Sequence, residues 1–155
     1  MGRLASFAER VGARRTHLIV DPFADGACHA AAVGCFESGG LAAAHATHDG
    51  LTRLGETHRL LHGEKVAFGL LTQLQRENCP LKELVAITRF LDACDLPTTL
   101  DDLGLGEATD DYLLVAAEAA CAPDDTMRNM PFEVTPADVV GAMRAASRFS
   151  KTVKD

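Results

Sequence analysis

The spacing of apolar residues from about residue 41 onward constrains the fold more than any other feature of this sequence. Apolar side chains that recur every three or four residues line one face of an α-helix and bury it against its neighbours. Glycine and proline separate the successive stretches, as Gly55 and Pro80 do. The pattern predicts a mainly α fold, a bundle of about five helices near residues 41–54, 63–78, 80–94, 113–121 and from Thr135 onward.

The first residues follow a different pattern. Residues 3–12 have helical spacing, Thr16–Val20 is a short apolar run rich in β-branched residues, and residues 21–26 form a turn signal. This order of helix, strand and turn is typical of the start of an α/β unit. A single strand does not form a stable sheet, so we expect it to pair with another copy of the chain or with a missing partner.

Composition narrows the class of function. The net charge is −7 and the basic residues are scattered, which argues against a nucleic-acid partner. The five cysteines include no Cys-x-x-Cys pair, so we expect reduced thiols. We find no signal-peptide pattern and no uninterrupted run of eighteen apolar residues, and therefore expect a cytoplasmic protein without a membrane partner.

Four of the six histidines are concentrated in residues 36–69. The nine residues from His45 to Leu54 would span about 13.5 Å as a helix. The connection 55–61 can extend to roughly 23 Å, so it is long enough to return His62 to the side of His45. His48 lies on a neighbouring part of the same helix face, and His58 lies in the connection.

Two interpretations of these histidines stay open on spacing alone. Imidazole nitrogen suits zinc or ferrous iron, but a catalytic metal also needs a third protein ligand and one open position. The alternative is that they are ordinary surface or hydrogen-bonded residues, as we expect for His17 and His29.

Several stretches are similar to a known family. They are "GCFESGGLAAAHATHDGLTRL", "HGEKVAFGLLTQL", "LPTTLDDLG" and "DDTMRNMPFEVTP". Over roughly residues 34–150 the chain resembles the C-terminal helical domain of bacterial glycerol dehydrogenases, in the iron-containing alcohol dehydrogenase superfamily. The resemblance implies NAD-dependent oxidation of glycerol, or of a similar small polyol, to a ketone such as dihydroxyacetone.

The resemblance also implies roles for individual residues. His45 and His62 correspond to the family's two metal-binding histidines, with zinc usual and iron possible, and His45 would also lie next to the substrate hydroxyl as the catalytic residue. His48 would be a substrate-cleft residue, and His58 would be incidental. Asp21, after the predicted strand, would contact the adenosine ribose of NAD.

The sequence lacks two elements that the family contains. No Gly-Gly-Gly-Ser phosphate loop lies between Asp21 and Phe36, and the segment with the family's aspartate ligand is absent. We therefore expect residues 1–33 to be a remnant of a nucleotide-binding domain, joined to a helical metal-binding domain over 34–155. Such a chain would be inactive alone unless another chain supplied the nucleotide site. We expect the two remaining histidines to bind zinc weakly, with waters or a substitute carboxylate such as Asp49 as the other ligands.

Two alternatives remain. One is a catalytically dead helical remnant, and the other is a metal-binding module unrelated to redox chemistry. Loss of the nucleotide domain would uncover an apolar surface, so we expect a homo-oligomer.

Overall fold

The computed structural model describes residues 42–154, which form five α-helices and no β-strand. Two short 3₁₀ segments, Gly55–Arg59 and Thr126–Asn129, lie in the connections between helices. The predicted mainly α bundle is therefore confirmed over this range. The helices are α1 (Ala43–Leu51), α2 (His62–Arg76), α3 (Leu81–Ala93), α4 (Asp110–Ala120) and α5 (Pro136–Lys154).

The core lies among four of these helices. Helix α1 packs against both α2 and α4, and these two helices also pack against α5. Each of the four contributes a large, fully buried side chain: Leu51, Phe68, Leu113 and Met143. Helix α3 packs along α5 and α2 at the side of this group.

Glycines allow α1 to approach its two neighbours closely. A Cβ atom at Gly69 of α2 would overlap the backbone carbonyl of Ala44 in α1. A Cβ atom at Gly50 of α1 would overlap the carbonyl of Ala116 in α4. Because backbone carbonyls cannot move aside independently, these two glycines fix how closely α1 packs, and with it the position of the histidines that α1 carries.

Helix ends differ from the expectation by a few residues. Helix α1 ends at Leu51, whereas the spacing of apolar residues predicted Leu54. Pro80 immediately precedes α3 and is not part of its first turn. Pro136 does occupy the first position of α5, as predicted.

Thr135 and Asp138 hold the first turn of α5 by reciprocal hydrogen bonds. The Asp138 amide donates to Thr135 Oγ1 (3.3 Å), and the Thr135 amide donates to Asp138 Oδ2 (3.0 Å). We expect Thr135→Ala to lower the free energy of unfolding by about 1 kcal/mol, since a helix-terminal N–H loses its acceptor. Urea unfolding measures the change. Thr152→Ala, which removes a hydroxyl bonded only within the last turns of α5, should change it by less than about 0.5 kcal/mol.

Several expectations fall on residues outside the described range. These are the helix over 3–12, the strand Thr16–Val20, the position of Asp21 and the domain boundary near residue 34. Within 42–154, none of the helices combines the length and the apolarity that a membrane-spanning segment requires.

Candidate functional site

Three histidines meet where α1 faces the start of α2. The ring centroids of His45 and His62 are 5.7 Å apart, with the ring planes at 49°. The rings of His48 and His62 are closer, with centroids 4.2 Å apart and planes at 64°. His48 is buried, His45 is half-buried and His62 is exposed. The connection thus returns His62 to the side of His45, while the proposed metal-binding role of this pair stays a prediction.

Hydrogen bonds link these side chains across the two helices. Nδ1 of His48 lies 2.9 Å from Oδ1 of Asp49. Nε2 of the same His48 ring lies 3.1 Å from Nδ1 of His62. Both ring nitrogens of His48 therefore have partners, one on its own helix and one on α2.

Two side chains that were not predicted to be important, Thr57 and Lys65, hold the connection between α1 and α2. The buried Thr57 hydroxyl donates to the carbonyl of Leu51 (2.6 Å), at the last residue of α1. The ammonium group of Lys65, itself buried, donates to the carbonyl of Leu60 (3.0 Å) and more weakly to that of Thr57 (3.5 Å). These bonds attach the connection to both helices.

Glu64 fixes the start of α2. Its carboxylate accepts a hydrogen bond of 2.6 Å from the amide of Leu61, the residue before the helix. The carboxylate also lies in the first turn, where it meets the positive end of the helix dipole. A glutamate three residues after a helix N-cap is a sequence signal that could have located this helix start at His62.

Burial keeps two of the histidines neutral. It lowers the pKa of His45 from 6.5 to about 4, with a further lowering from the neighbouring His62 and His48. The pKa of His48 is also lowered, first by burial and then by His62. A neutral imidazole retains the lone pair that a metal ligand needs, so both rings are in the right protonation state for one at neutral pH.

The rings of His45 and His62 are separated by about the distance expected for two ligands of one metal ion. At zinc–nitrogen distances of about 2.0–2.1 Å, two imidazole rings on one tetrahedral ion have their centres roughly 5 Å apart. The observed 5.7 Å is of this size, and the exposure of His62 leaves one side open. Among residues 42–154, however, no group of three or more His, Cys, Asp or Glu side chains is arranged to hold a metal ion.

His58, which we expected to be incidental, lies outside this cluster. His58 is exposed on the first 3₁₀ segment, where its Nε2 lies 2.9 Å from the carbonyl of Thr52. Asp21 is outside the described residues, so the NAD contact is untested. A separate cleft of about 390 Å³ lies beside Cys121, Met127 and Phe132, and none of the described histidines lines it.

Solved structures share this fold. The chain superimposes on the glycerol dehydrogenase of Schizosaccharomyces pombe with a TM-score of 0.75 and 41% identity, over 77% of this chain and 31% of that one. For a probable glycerol dehydrogenase from Sinorhizobium meliloti the TM-score is 0.73 at 42% identity, over 76% and 33% of the two chains. The fold is therefore that of a helical portion of such dehydrogenases.

Curated sequences give the same relationship. Glycerol dehydrogenase from Escherichia coli O6:H1 is 47% identical over 116 residues, which is 75% of this chain and 32% of the relative. Glycerol dehydrogenase from Thermotoga maritima is 47% identical over 120 residues, 77% of this chain and 33% of the relative. No protein-family model matches the chain.

The chain is thus homologous to the glycerol dehydrogenases over about three quarters of its own length, and it spans about a third of theirs.

Proposed function

We propose that this chain supplies the metal-binding, substrate-facing helical part of a polyol oxidoreductase of the glycerol dehydrogenase type. The observation that carries the proposal is the meeting of His45 and His62 at the junction of α1 and α2, at a separation suited to one metal ion. Homology to glycerol dehydrogenases supports the choice of glycerol, or a similar small polyol, as the substrate class.

Each residue has a distinct task in this proposal. His45 and His62 hold the metal, preferably zinc, and His45 also borders the substrate hydroxyl. His62 is exposed, which lets a small polyol reach it, whereas His48 is buried. When bound, the metal supplies Lewis-acid chemistry and NAD accepts hydride. Asp21 is proposed to contact the ribose of NAD.

The alternative is a helical module that binds metal or self-associates without catalysing a reaction. Two observations favour it. Residues 42–154 contain no group of three metal-binding side chains that could complete a catalytic metal site. Large apolar side chains are also exposed, including Leu61 next to His62 and Leu81 at the start of α3, which would suit a homo-oligomer.

Zinc titration by calorimetry tests the proposal. We expect the purified chain to bind one zinc ion, and His62→Ala to weaken binding at least about tenfold through loss of a ligand. His58→Ala is the matched control, because it removes an exposed histidine outside the cluster and should leave binding unchanged. Equal zinc affinity in the wild-type chain and His62→Ala would contradict the proposal.

Glycerol-dependent NADH formation then distinguishes the proposed oxidoreductase from the inactive helical module. The assay uses the zinc-loaded chain at high protein concentration, beside His62→Ala. Activity that disappears in the variant supports the oxidoreductase. Zinc binding without NADH formation supports the inactive module instead, and sedimentation of the same sample shows whether that module self-associates.

A further inference from the structure

Three side chains, Asp49, His48 and His62, form a continuous hydrogen-bonded chain that crosses from α1 to α2. Asp49 Oδ1 bonds His48 Nδ1 (2.9 Å), and His48 Nε2 bonds His62 Nδ1 (3.1 Å). The side chain of Asp49 is 54% exposed and that of His48 only 11%. The chain therefore runs from the surface, through a buried ring, to one of the two proposed metal ligands.

The chemistry of these groups fixes the direction of every hydrogen bond. An ionised carboxylate only accepts, so the proton between Asp49 and His48 resides on Nδ1 of His48. In a neutral imidazole the other nitrogen is then an acceptor, so Nδ1 of His62 must donate to Nε2 of His48. This leaves the lone pair of His62 on Nε2.

Building on the proposed function, we infer that Asp49 and His48 are positioning residues that select the tautomer and ring orientation of His62, so that His62 binds metal through Nε2. Metal-binding histidines commonly donate their second ring N–H to a partner that sets ring orientation and ligand basicity. Here that partner is a second histidine, itself oriented by a carboxylate. His48 acts through His62, and Asp49 acts one step further away without binding the metal itself.

The tautomers can be read directly from the metal-free chain. Long-range ¹H–¹⁵N spectra near neutral pH distinguish Nδ1–H from Nε2–H in each assigned histidine. We expect the Nδ1–H form at both His48 and His62. In Asp49→Ala we expect both to shift toward Nε2–H, whereas Asp49→Asn retains a carbonyl acceptor and should restore much of the wild-type pattern.

Zinc affinity provides the second readout. We expect Asp49→Ala to bind zinc about tenfold more weakly than the wild-type chain, with Asp49→Asn in between. Asp111→Ala, which removes an equal charge from an exposed site on α4, should bind zinc as the wild-type chain does. Because alanine is a good helix former and Asp49 is exposed, Asp49→Ala should melt near the wild-type temperature.

The Nε2–H tautomer at His62 in the wild-type chain would overturn the inference, as would an unchanged tautomer pattern or an unchanged zinc affinity in Asp49→Ala. The spectra are recorded without metal. A wild-type chain that binds no zinc would therefore refute the proposed function, while the spectra would still decide whether Asp49 and His48 orient His62.

Discussion

Gly69→Ala is expected to lower the free energy of unfolding by about 3 kcal/mol and to weaken zinc binding in the same variant. The added Cβ atom would overlap the backbone carbonyl of Ala44, which is part of α1 and cannot rotate aside. Helix α1 must then move away from α2. Because Ala44 is adjacent to His45, this movement separates His45 from His62, the proposed metal-binding pair.

Urea unfolding and zinc titration measure the two effects. The control is Gly141→Ala in α5, where an added Cβ atom has no neighbour within 4 Å. That variant should be as stable as the wild-type chain, or more stable by roughly 0.5–1 kcal/mol, because alanine favours a helix. If Gly69→Ala unfolded at the same urea concentration as the wild-type chain, α1 would not be packed against α2 as closely as the structure shows.

A second variant, Gly50→Ala, tests whether packing against α2 or against α4 positions His45. The added Cβ atom would overlap the Ala116 carbonyl, so it should push α1 away from α4 instead of α2. We expect a similar loss of stability but a smaller loss of zinc affinity than in Gly69→Ala. Greater damage to zinc binding from Gly50→Ala would mean that packing against α4, and not against α2, positions His45.

The helical bundle and the approach of His62 to His45 could be predicted because both depend on fixed local geometry. Apolar spacing identifies a buried helix face, and the constant rise of a helix sets how far a connection must reach. The end of α1 could not be predicted in this way. The Thr57 hydroxyl bonds the Leu51 carbonyl in the folded chain, and no periodicity in the sequence records this contact.

The hydrogen bonds within the histidine cluster could not be predicted from the sequence either. They depend on the side-chain rotamers of His48 and His62 and on how far α1 and α2 are apart, which is set by Gly69. Asp49 was expected from the sequence to be a substitute metal ligand. In the structure its carboxylate bonds His48, which motivates the positioning role. The buried Lys65 was missed because a lysine in a helix is normally expected on the surface.

Acidification of the zinc-free chain is expected to lower its stability between pH 6.5 and about 4, mainly through His45. The pKa of His45 is about 4 in the folded chain, since burial disfavours the imidazolium, against about 6.5 when unfolded. Between these values the unfolded chain binds more protons. The free energy of unfolding is therefore highest above pH 6.5 and falls as the pH drops toward 4. We expect a loss of about 2 kcal/mol in the free energy of unfolding. This is less than the full pKa difference would give, because solvent still reaches part of the ring and screens its neighbours.

Urea unfolding at pH 7.0, 5.5 and 4.5 in the presence of a chelator measures this dependence. His45→Gln, which does not titrate, should lose much less stability over the same interval, while His58→Gln removes an exposed histidine outside the cluster and should follow the wild-type chain. Asp102 and Asp138 do not interfere. Burial raises the pKa of Asp102, but hydrogen bonds from Thr98 and Thr99 outweigh it and lower the pKa overall; hydrogen bonds from Thr135 lower the pKa of Asp138. The stability that both carboxylates provide is therefore lost only at lower pH. An equal loss in the wild-type chain and His45→Gln would show that the pKa of His45 is not lowered in the folded chain.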